Sequence, residues 1–402
     1  MSGVAAIRDP FRPARKAVSR IPGVGLVRTL PNTASFIVGS QVRTWRGRPA
    51  TRPAARPSWA MAGQVAMDEA IVGLLAAGRM PHRGDYARVG AEMVEADALW
   101  RERGWDTDPA SYHDTPPPLR DVRIRRRSSR GLAFEQVSFE SGWEPHLGEP
   151  GRDRWLEREA NRTAHAWVLR HQGPPRPWLV CIHGMGMGNP IMDLPAFKAS
   201  RLFAERGLNL VFPILPMHGP RKAPGAGFPG FDQLDAVHGL AQGLWDIRRL
   251  VDWVADQGAP AIGAHGVSLG GYMTALTTSY EPAIGSAIAG VPVIDFPALA
   301  EHHASGRQLR IGREQHMSGE IAERVHRVVS PVARPSLLPA DRLAIYAGIG
   351  DRMATPAQAE RLWQHWDQPE VCWYPGNHVA FFWSSKVDGF VTETLDRFAL
   401  RG

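Results

Sequence analysis

The stretch Gly266-Val267-Ser268-Leu269-Gly270-Gly271 decides how this chain is read. It stands between a short apolar run, Pro260 to His265, and a helix-compatible run, Tyr272 to Ser279. A strand, a Gly-x-Ser-x-Gly turn and a helix in succession make a nucleophile elbow. The glycines answer a steric demand. The serine must sit on a sharp, strained turn, so the residues two before and two after it must lack a Cβ. The turn lifts the serine Oγ clear of the sheet, and the helix behind it offers N–H groups to a developing anion. A serine in a glycine-rich turn is most often only a turn residue. The flanking chain must therefore decide.

Downstream, Leu343-Ala344-Ile345-Tyr346-Ala347-Gly348 reads as a buried strand, and Gly350-Asp351 follows as a loop with a carboxylate. Cys372-Trp373-Tyr374 reads as another short strand, and Pro375-Gly376-Asn377-His378 follows as a turn ending in histidine. In an open parallel sheet, catalytic groups collect beyond the carboxyl ends of the strands. Ser268, Asp351 and His378 each follow an expected strand, so all three would converge there. His378 would take the proton of Ser268, and Asp351 would fix the imidazole tautomer and stabilise its charged form. Asp351 is also placed to cap a helix starting near Pro356. Upstream, Trp178-Leu179-Val180-Cys181-Ile182 is a hydrophobic strand that runs into His183-Gly184-Met185-Gly186-Met187-Gly188. That glycine run lacks the spacing of a dinucleotide loop and has no Lys-Ser/Thr.

From about Leu132 to the C-terminus, these four motifs in this order resemble the α/β-hydrolase superfamily. The resemblance implies a mostly parallel central sheet flanked by helices and a serine esterase or lipase-like activity. It further implies an oxyanion hole built from the backbone N–H groups of Met185 and Leu269, with Gly184 or Gly186 as alternatives to Met185. The loop His218-Gly219-Pro220-Arg221-Lys222 and the elbow are similar in outline to the eukaryotic α/β-hydrolase-domain-eighteen subgroup. The His-Gly oxyanion segment departs from that subgroup. That likeness implies action on lipid acyl groups.

At 402 residues and 44% hydrophobic, the chain can bury a large α/β core and still carry an additional segment. The expected division is a basic arm over 1–60, a helical extension over 61–130, and a catalytic domain over 131–402 with a cap-like insertion near 295–338. The arm holds eleven Lys/Arg and one Asp, which leaves 36 basic and 39 acidic residues in the remainder. The catalytic part is thus not cationic. The arm would favour an anionic surface. No nucleic-acid motif accompanies it, so the expected contact is a peripheral one with phospholipid headgroups, beside the alternative of a solvated arm. Cys181 and Cys372 lie in expected core strands and read as small apolar residues of a reducing compartment, which points to a cytoplasmic protein. Met1 to Lys16 has no apolar core of signal-peptide length.

Within the extension, Trp59 to Met80 is strongly apolar and helical, and Asp85 to Arg103 places Tyr86, Val89, Met93, Ala96 and Trp100 on one helical face. Both helices are expected to lie on the hydrolase core, over the mouth of the site. The arginine-rich run from Arg120 to Arg130 reads as a link between regions. Leu132 to Phe139, Thr163 to Arg170, Leu208 to Leu215 and Ile284 to Ile294 are expected strands; Ala196 to Arg206 and Asp232 to Gln257 are expected helices. The glycine- and proline-rich loop from Pro216 to Phe231 would border the pocket and offer Phe228 or Phe231 to substrate. Met187, Met217, Met273 and Phe381 would line an adaptable apolar pocket. No cofactor is expected, and the three histidines His302, His303 and His316 lack a metal-ligand spacing. The expected activity is cleavage of a small-molecule carboxylic ester with a hydrophobic or lipid-like acyl part, through an acyl-enzyme on Ser268. The same residues could run acyl transfer or amide hydrolysis, and a non-catalytic binding protein could keep the fold.

Overall fold

The computed structural model describes residues 53, 58–77, 83–222 and 227–402. Most of the basic arm lies outside the described residues. In chain order the first elements are α1 (Trp59–Ala77), α2 (Arg83–Arg103), β1 (Arg123–Ser129), β2 (Leu132–Glu140), α3 (Arg152–Leu156) and β3 (Thr163–Leu169). Then come β4 (Trp178–Ile182), α4 (Pro190–Ala196), α5 (Ala199–Ala204), β5 (Asn209–Ile214), α6 (Gln233–Asp256), β6 (Ile262–Val267) and α7 (Leu269–Thr277). The chain closes with β7 (Ser286–Gly290), α8 (Phe296–His303), α9 (Gly306–Glu314), α10 (Glu320–Arg327), β8 (Leu343–Gly348), α11 (Pro356–His365), β9 (Glu370–Tyr374) and α12 (Ser385–Arg397).

The strands join in one sheet in the order β1-β2-β3-β5-β4-β6-β7-β8-β9. β1, β2, β3 and β5 pair antiparallel in succession. From β5 through β4 to β9 every pairing is parallel. β4, β5, β6, β7 and β8 are buried along their whole length, as parallel strands covered by helices on both faces must be. One core lies under α2, α6, α7, α10 and α11, and a second, on the other face, lies under α4, α5 and α12. The connections from β4 go first to β5 on one side and then, through β6, to the other. In open α/β sheets such a reversal is where ligands bind, and here it falls at the carboxyl ends of β4 and β6. The elbow and the His183–Gly188 loop follow those two strands.

Several boundaries differ from the sequence expectation, each for a local reason. Arg123–Ser129 is not a linker but an edge strand, almost wholly exposed and hairpin-paired to β2. Its arginines hide it from a hydrophobic pattern, and charge is how an open sheet edge avoids pairing with other chains. The helix expected over Ala196–Arg206 is divided, because Lys198 takes a left-handed conformation (φ 51°) between α4 and α5. β7 ends at Gly290 rather than Ile294, since Val291 turns to φ 40° and Pro292 follows. Phe228 is buried against α6, where a Cβ at Gly239 would lie 2.2 Å from its ring, and Phe231 makes an edge-to-face contact with Tyr86 of α2.

α2 docks by the stripe read from its spacing: Val89, Met93, Ala96 and Trp100 are buried, and the Trp100 indole donates to the Val325 carbonyl of α10 at 3.2 Å. Glu92 of the same helix accepts from Arg154 of α3 at 2.7 and 2.8 Å. α1 is fixed differently, through loops at the sheet's carboxyl edge. No helix among the described residues is long and apolar enough to cross a membrane.

Candidate active site

Ser268 is the hinge between β6 and α7 and holds φ 58°, ψ −115°, a conformation that non-glycine residues rarely adopt. Its N–H donates to the Gly290 carbonyl at 2.8 Å, and its carbonyl accepts from Tyr272 at 3.1 Å. The turn is possible only because two neighbours lack side chains. A Cβ at Gly266 would stand 2.0 Å from the Gly270 carbonyl oxygen, and a Cβ at Gly270 would stand 1.8 Å from that of Ile182. Both obstacles are backbone, so neither can swing aside.

The structure brings the three expected side chains together. The Ser268 hydroxyl donates to Nε2 of His378 at 2.9 Å, and Nδ1–H of His378 donates to Oδ2 of Asp351 at 2.7 Å. Asp351 and His378 are buried, while Ser268 keeps partial access to solvent. The loops that carry Asp351 and His378 are tied backbone to backbone: Ile349 N–H donates to the Tyr374 carbonyl at 3.0 Å and Gly350 N–H to that of Gly376 at 2.9 Å. The other oxygen of Asp351 accepts from the N–H groups of Met353 at 2.9 Å and Ala354 at 2.8 Å. Asp351 thus closes its own turn with one oxygen and orients the imidazole with the other.

The electrostatics follow. Burial works to lower the basicity of His378, but the charge and hydrogen bond of Asp351, with the charge of Asp68, outweigh it, and its pKa is raised above the ordinary 6.5. No local motif marks Asp68 in the sequence. It lies in the middle of α1, fully buried, and its Oδ2 accepts from the backbone N–H of His378 and of Arg352, both at 3.0 Å. Its Oδ1 accepts from the side-chain amide of Asn377 at 2.9 Å. Burial pushes its carboxyl up to about 7; the neighbouring Asp351 adds to this, while His378 and the two backbone donors pull the other way.

The His183–Gly188 loop reaches the elbow. A Cβ at Gly184 would be 3.4 Å from the Cβ of Ser268 and 3.4 Å from the sulfur of Met187. Met187 is buried and its sulfur accepts the Gly184 N–H at 3.4 Å. Met185 is 38% exposed at the tip of the loop. Leu269 opens α7, where the first N–H groups have no carbonyl one turn back to bond. His183 is structural: Nε2 accepts from Leu215 N–H at 3.1 Å, and burial lowers its pKa to about 3.

The remaining expected pocket residues are buried. Met273 is in the core below α7. Met217 is buried, with its N–H on Asn161 Oδ1 at 3.0 Å and its sulfur accepting the Asn161 amide at 3.2 Å. Phe381 stacks on Phe382 (ring centroids 4.2 Å apart) in the opposite core. Apolar composition marked these residues, but only the third dimension separates a lining face from a core face. Exposed apolar groups in the segments that follow β4 and His378 are Met185, Ile191 on the first turn of α4, and Trp383.

No protein-family model matches the chain. It is 42% identical over 368 residues to the uncharacterized protein Rv2627c of Mycobacterium tuberculosis (strain ATCC 25618 / H37Rv), covering 89% of this chain and 88% of that one. The uncharacterized protein MT2702 of M. tuberculosis (strain CDC 1551 / Oshkosh) matches to the same extent. Among solved structures, acetyl xylan esterase 1 from Thermoanaerobacterium sp. JW/SL YS485 superposes with a TM-score of 0.53 at 11% identity, over 75% of this chain and 93% of that one. At that identity the likeness is one of fold. Sheet order, elbow and superposition agree on an α/β-hydrolase fold, and the sequence similarity places the chain in one family with these two mycobacterial proteins.

Proposed function

We propose that the protein is a serine hydrolase that cleaves carboxylic esters with a hydrophobic acyl part. The observation that carries this is the unbroken hydrogen-bond chain from Ser268 through His378 to Asp351, starting at a residue held at φ 58°. Ser268 Oγ attacks the ester carbonyl carbon while its proton passes to Nε2 of His378. The tetrahedral oxyanion takes hydrogen bonds from the N–H groups of Met185 and Leu269; one such donor is worth about 2.7–4 kcal/mol of barrier. The C–O bond to the alcohol breaks as His378 returns the proton to the leaving oxygen. Water then attacks the acyl-enzyme, with His378 again as base, and releases the acid. Met185, Ile191 and Trp383 give the flanking surface an apolar character, which suits an acyl chain better than a charged or sugar group.

Labelling by a fluorophosphonate, which traps only an activated serine, tests the reading on wild type and Ser268→Ala. The expected result is labelling of the wild type alone. A wild type that stays unlabelled overturns it, and labelling that survives in the variant puts the nucleophile elsewhere.

A further inference from the structure

Asp68 is an unusual residue to find where it is. α1 reads Trp-Ala-Met-Ala-Gly-Gln-Val-Ala-Met-Asp-Glu-Ala-Ile-Val-Gly-Leu-Leu-Ala-Ala, and its acid at 68 has no exposed surface. A carboxylate taken out of water costs several kcal/mol unless donors replace the solvent. The donors here come from far along the chain. They are the N–H of Arg352, next to the acid Asp351; the N–H of His378 itself; and the amide of Asn377, which also donates to the Gln64 carbonyl of α1 at 2.9 Å. Both loops that carry the acid and the base are thus bonded to one side chain.

We propose that Asp68 is a positioning residue for the hydrolysis: bonded at once to the backbones of both loops, it sets how Asp351 and His378 meet. The proposal rests on the serine hydrolase reading above.

Two observations separate this from a plain helix anchor. The first is that α1 already has apolar contacts to the same place: Met61 and Val65 are buried, and a Cβ at Gly350 would lie 2.4 Å from the Met61 sulfur and 3.5 Å from Val65. An apolar residue at 68 would have extended that contact without desolvating a charge. The second is electrostatic. Asp68 stands beside a carboxylate of like charge, which makes it a costly choice, and the counter-charge it faces is the imidazole. The other ionisable groups around it are Asp351; Glu69 and Arg352, whose side chains pair with each other at 2.8 Å; and Tyr374, whose hydroxyl donates to the Asn377 carbonyl at 2.7 Å. His378 becomes cationic as Ser268 attacks, so above about pH 7, where Asp68 is ionised, a second negative group near it favours the transition state over the ground state.

The test is Asp68→Asn in the full chain, which keeps size and shape but turns one acceptor oxygen into a donor facing an N–H. With an ester that the wild type turns over, kcat should fall roughly 10- to 100-fold, the scale seen when a catalytic group loses its orienting partner or shifts by about 1 Å. KM should hold within about twofold, and the acid limb of the kcat profile should move to lower pH. An unchanged kcat and limb overturn the proposal. A wild type that no fluorophosphonate labels overturns the hydrolase reading instead, so the two failures are told apart. Should Asp68→Asn not fold, amide hydrogen exchange in the wild type decides. The N–H groups of Arg352 and His378 should be protected like those of the central strands, and free exchange at either would overturn the proposal.

Discussion

Asp351, in the loop after β8, and Asp68, in the middle of α1, both end on His378 but on different atoms of it. Asp351 takes the ring Nδ1–H; Asp68 takes the backbone N–H. Their own support differs as much. One oxygen of Asp351 is held by N–H groups two and three residues on, so its loop is largely self-contained. The donors to Asp68 lie 284, 309 and 310 residues away, so its place exists only once α1 has docked. On the proposed mechanism the difference separates two tasks: one carboxylate would set the tautomer and charge of the imidazole, and the other would set where the imidazole is.

The largest expected effect falls on the ring side. Asp351→Asn should keep the turn, because the amide oxygen can still accept from Met353 and Ala354, but it leaves the imidazole in the wrong tautomer. A loss in kcat of about 10⁴-fold, or about 5 kcal/mol, is expected. The pH profile sharpens the point. His378 must be neutral to accept the serine proton, and its pKa is raised, so wild-type activity should fall away on the acid side at a pH above 6.5. Removing the charge of Asp351 lowers that pKa and carries the limb to lower pH. Removing that of Asp68 carries it the same way by less, since Asp351 contributes more. A larger displacement from Asp68→Asn than from Asp351→Asn would invert the assignment of tasks.

The same contrast explains what could be read from the chain. Ser268, Asp351 and His378 each end a local pattern of strand, tight turn and polar residue. The glycine at 266 is required by the backbone of Gly270 four residues on, and the glycine at 270 by the Ile182 carbonyl of the neighbouring strand β4. The motif records both demands in a few residues. Asp68 obeys no such rule. Its only trace in the sequence is an acid inside an apolar helix, a group that must find distant partners or stay out of the core. The β1 strand is hidden for a related reason: Arg123 to Arg127 pair with β2 through their backbone, with a side-chain bond from Arg127 to Gln136 at 3.1 Å, and their exposed side chains record solvent, not the sheet. Met217, Met273 and Phe381 carried the right chemistry for a pocket. Which side of a helix or turn meets a pocket is a matter of packing, and composition does not contain it.

A smaller effect, on stability rather than rate, tests whether α1 is held by its apolar contacts. Met61→Ala removes a buried thioether lying on Gly350. Buried methionine-to-alanine changes cost about 2–5 kcal/mol, which urea unfolding would read as a lower midpoint at constant slope. In the fraction that remains folded, kcat should stay near the wild-type value, because the bonds of Asp68 are untouched. A fall in kcat without a fall in the midpoint would move the positioning from the carboxylate to the packing of Met61.

The smallest effect is expected one residue from Asp68. Glu69 pairs with Arg352 at 2.8 Å, and both side chains keep some solvent access (12% and 18%). Glu69→Gln removes the charge but retains an acceptor, so a cost of about 1 kcal/mol or less is expected, with kcat within about twofold of wild type in a steady-state ester assay. The variant acts on the same helix and the same loop as Asp68→Asn, and differs in which atoms it reaches: the Arg352 side chain, not the Arg352 and His378 backbones. If Glu69→Gln matched the kcat loss of Asp68→Asn, α1 would act as a clamp whose hold is shared along its length. If it does not, the hold is in three N–H bonds to one carboxylate, and α1 is the means of delivering it.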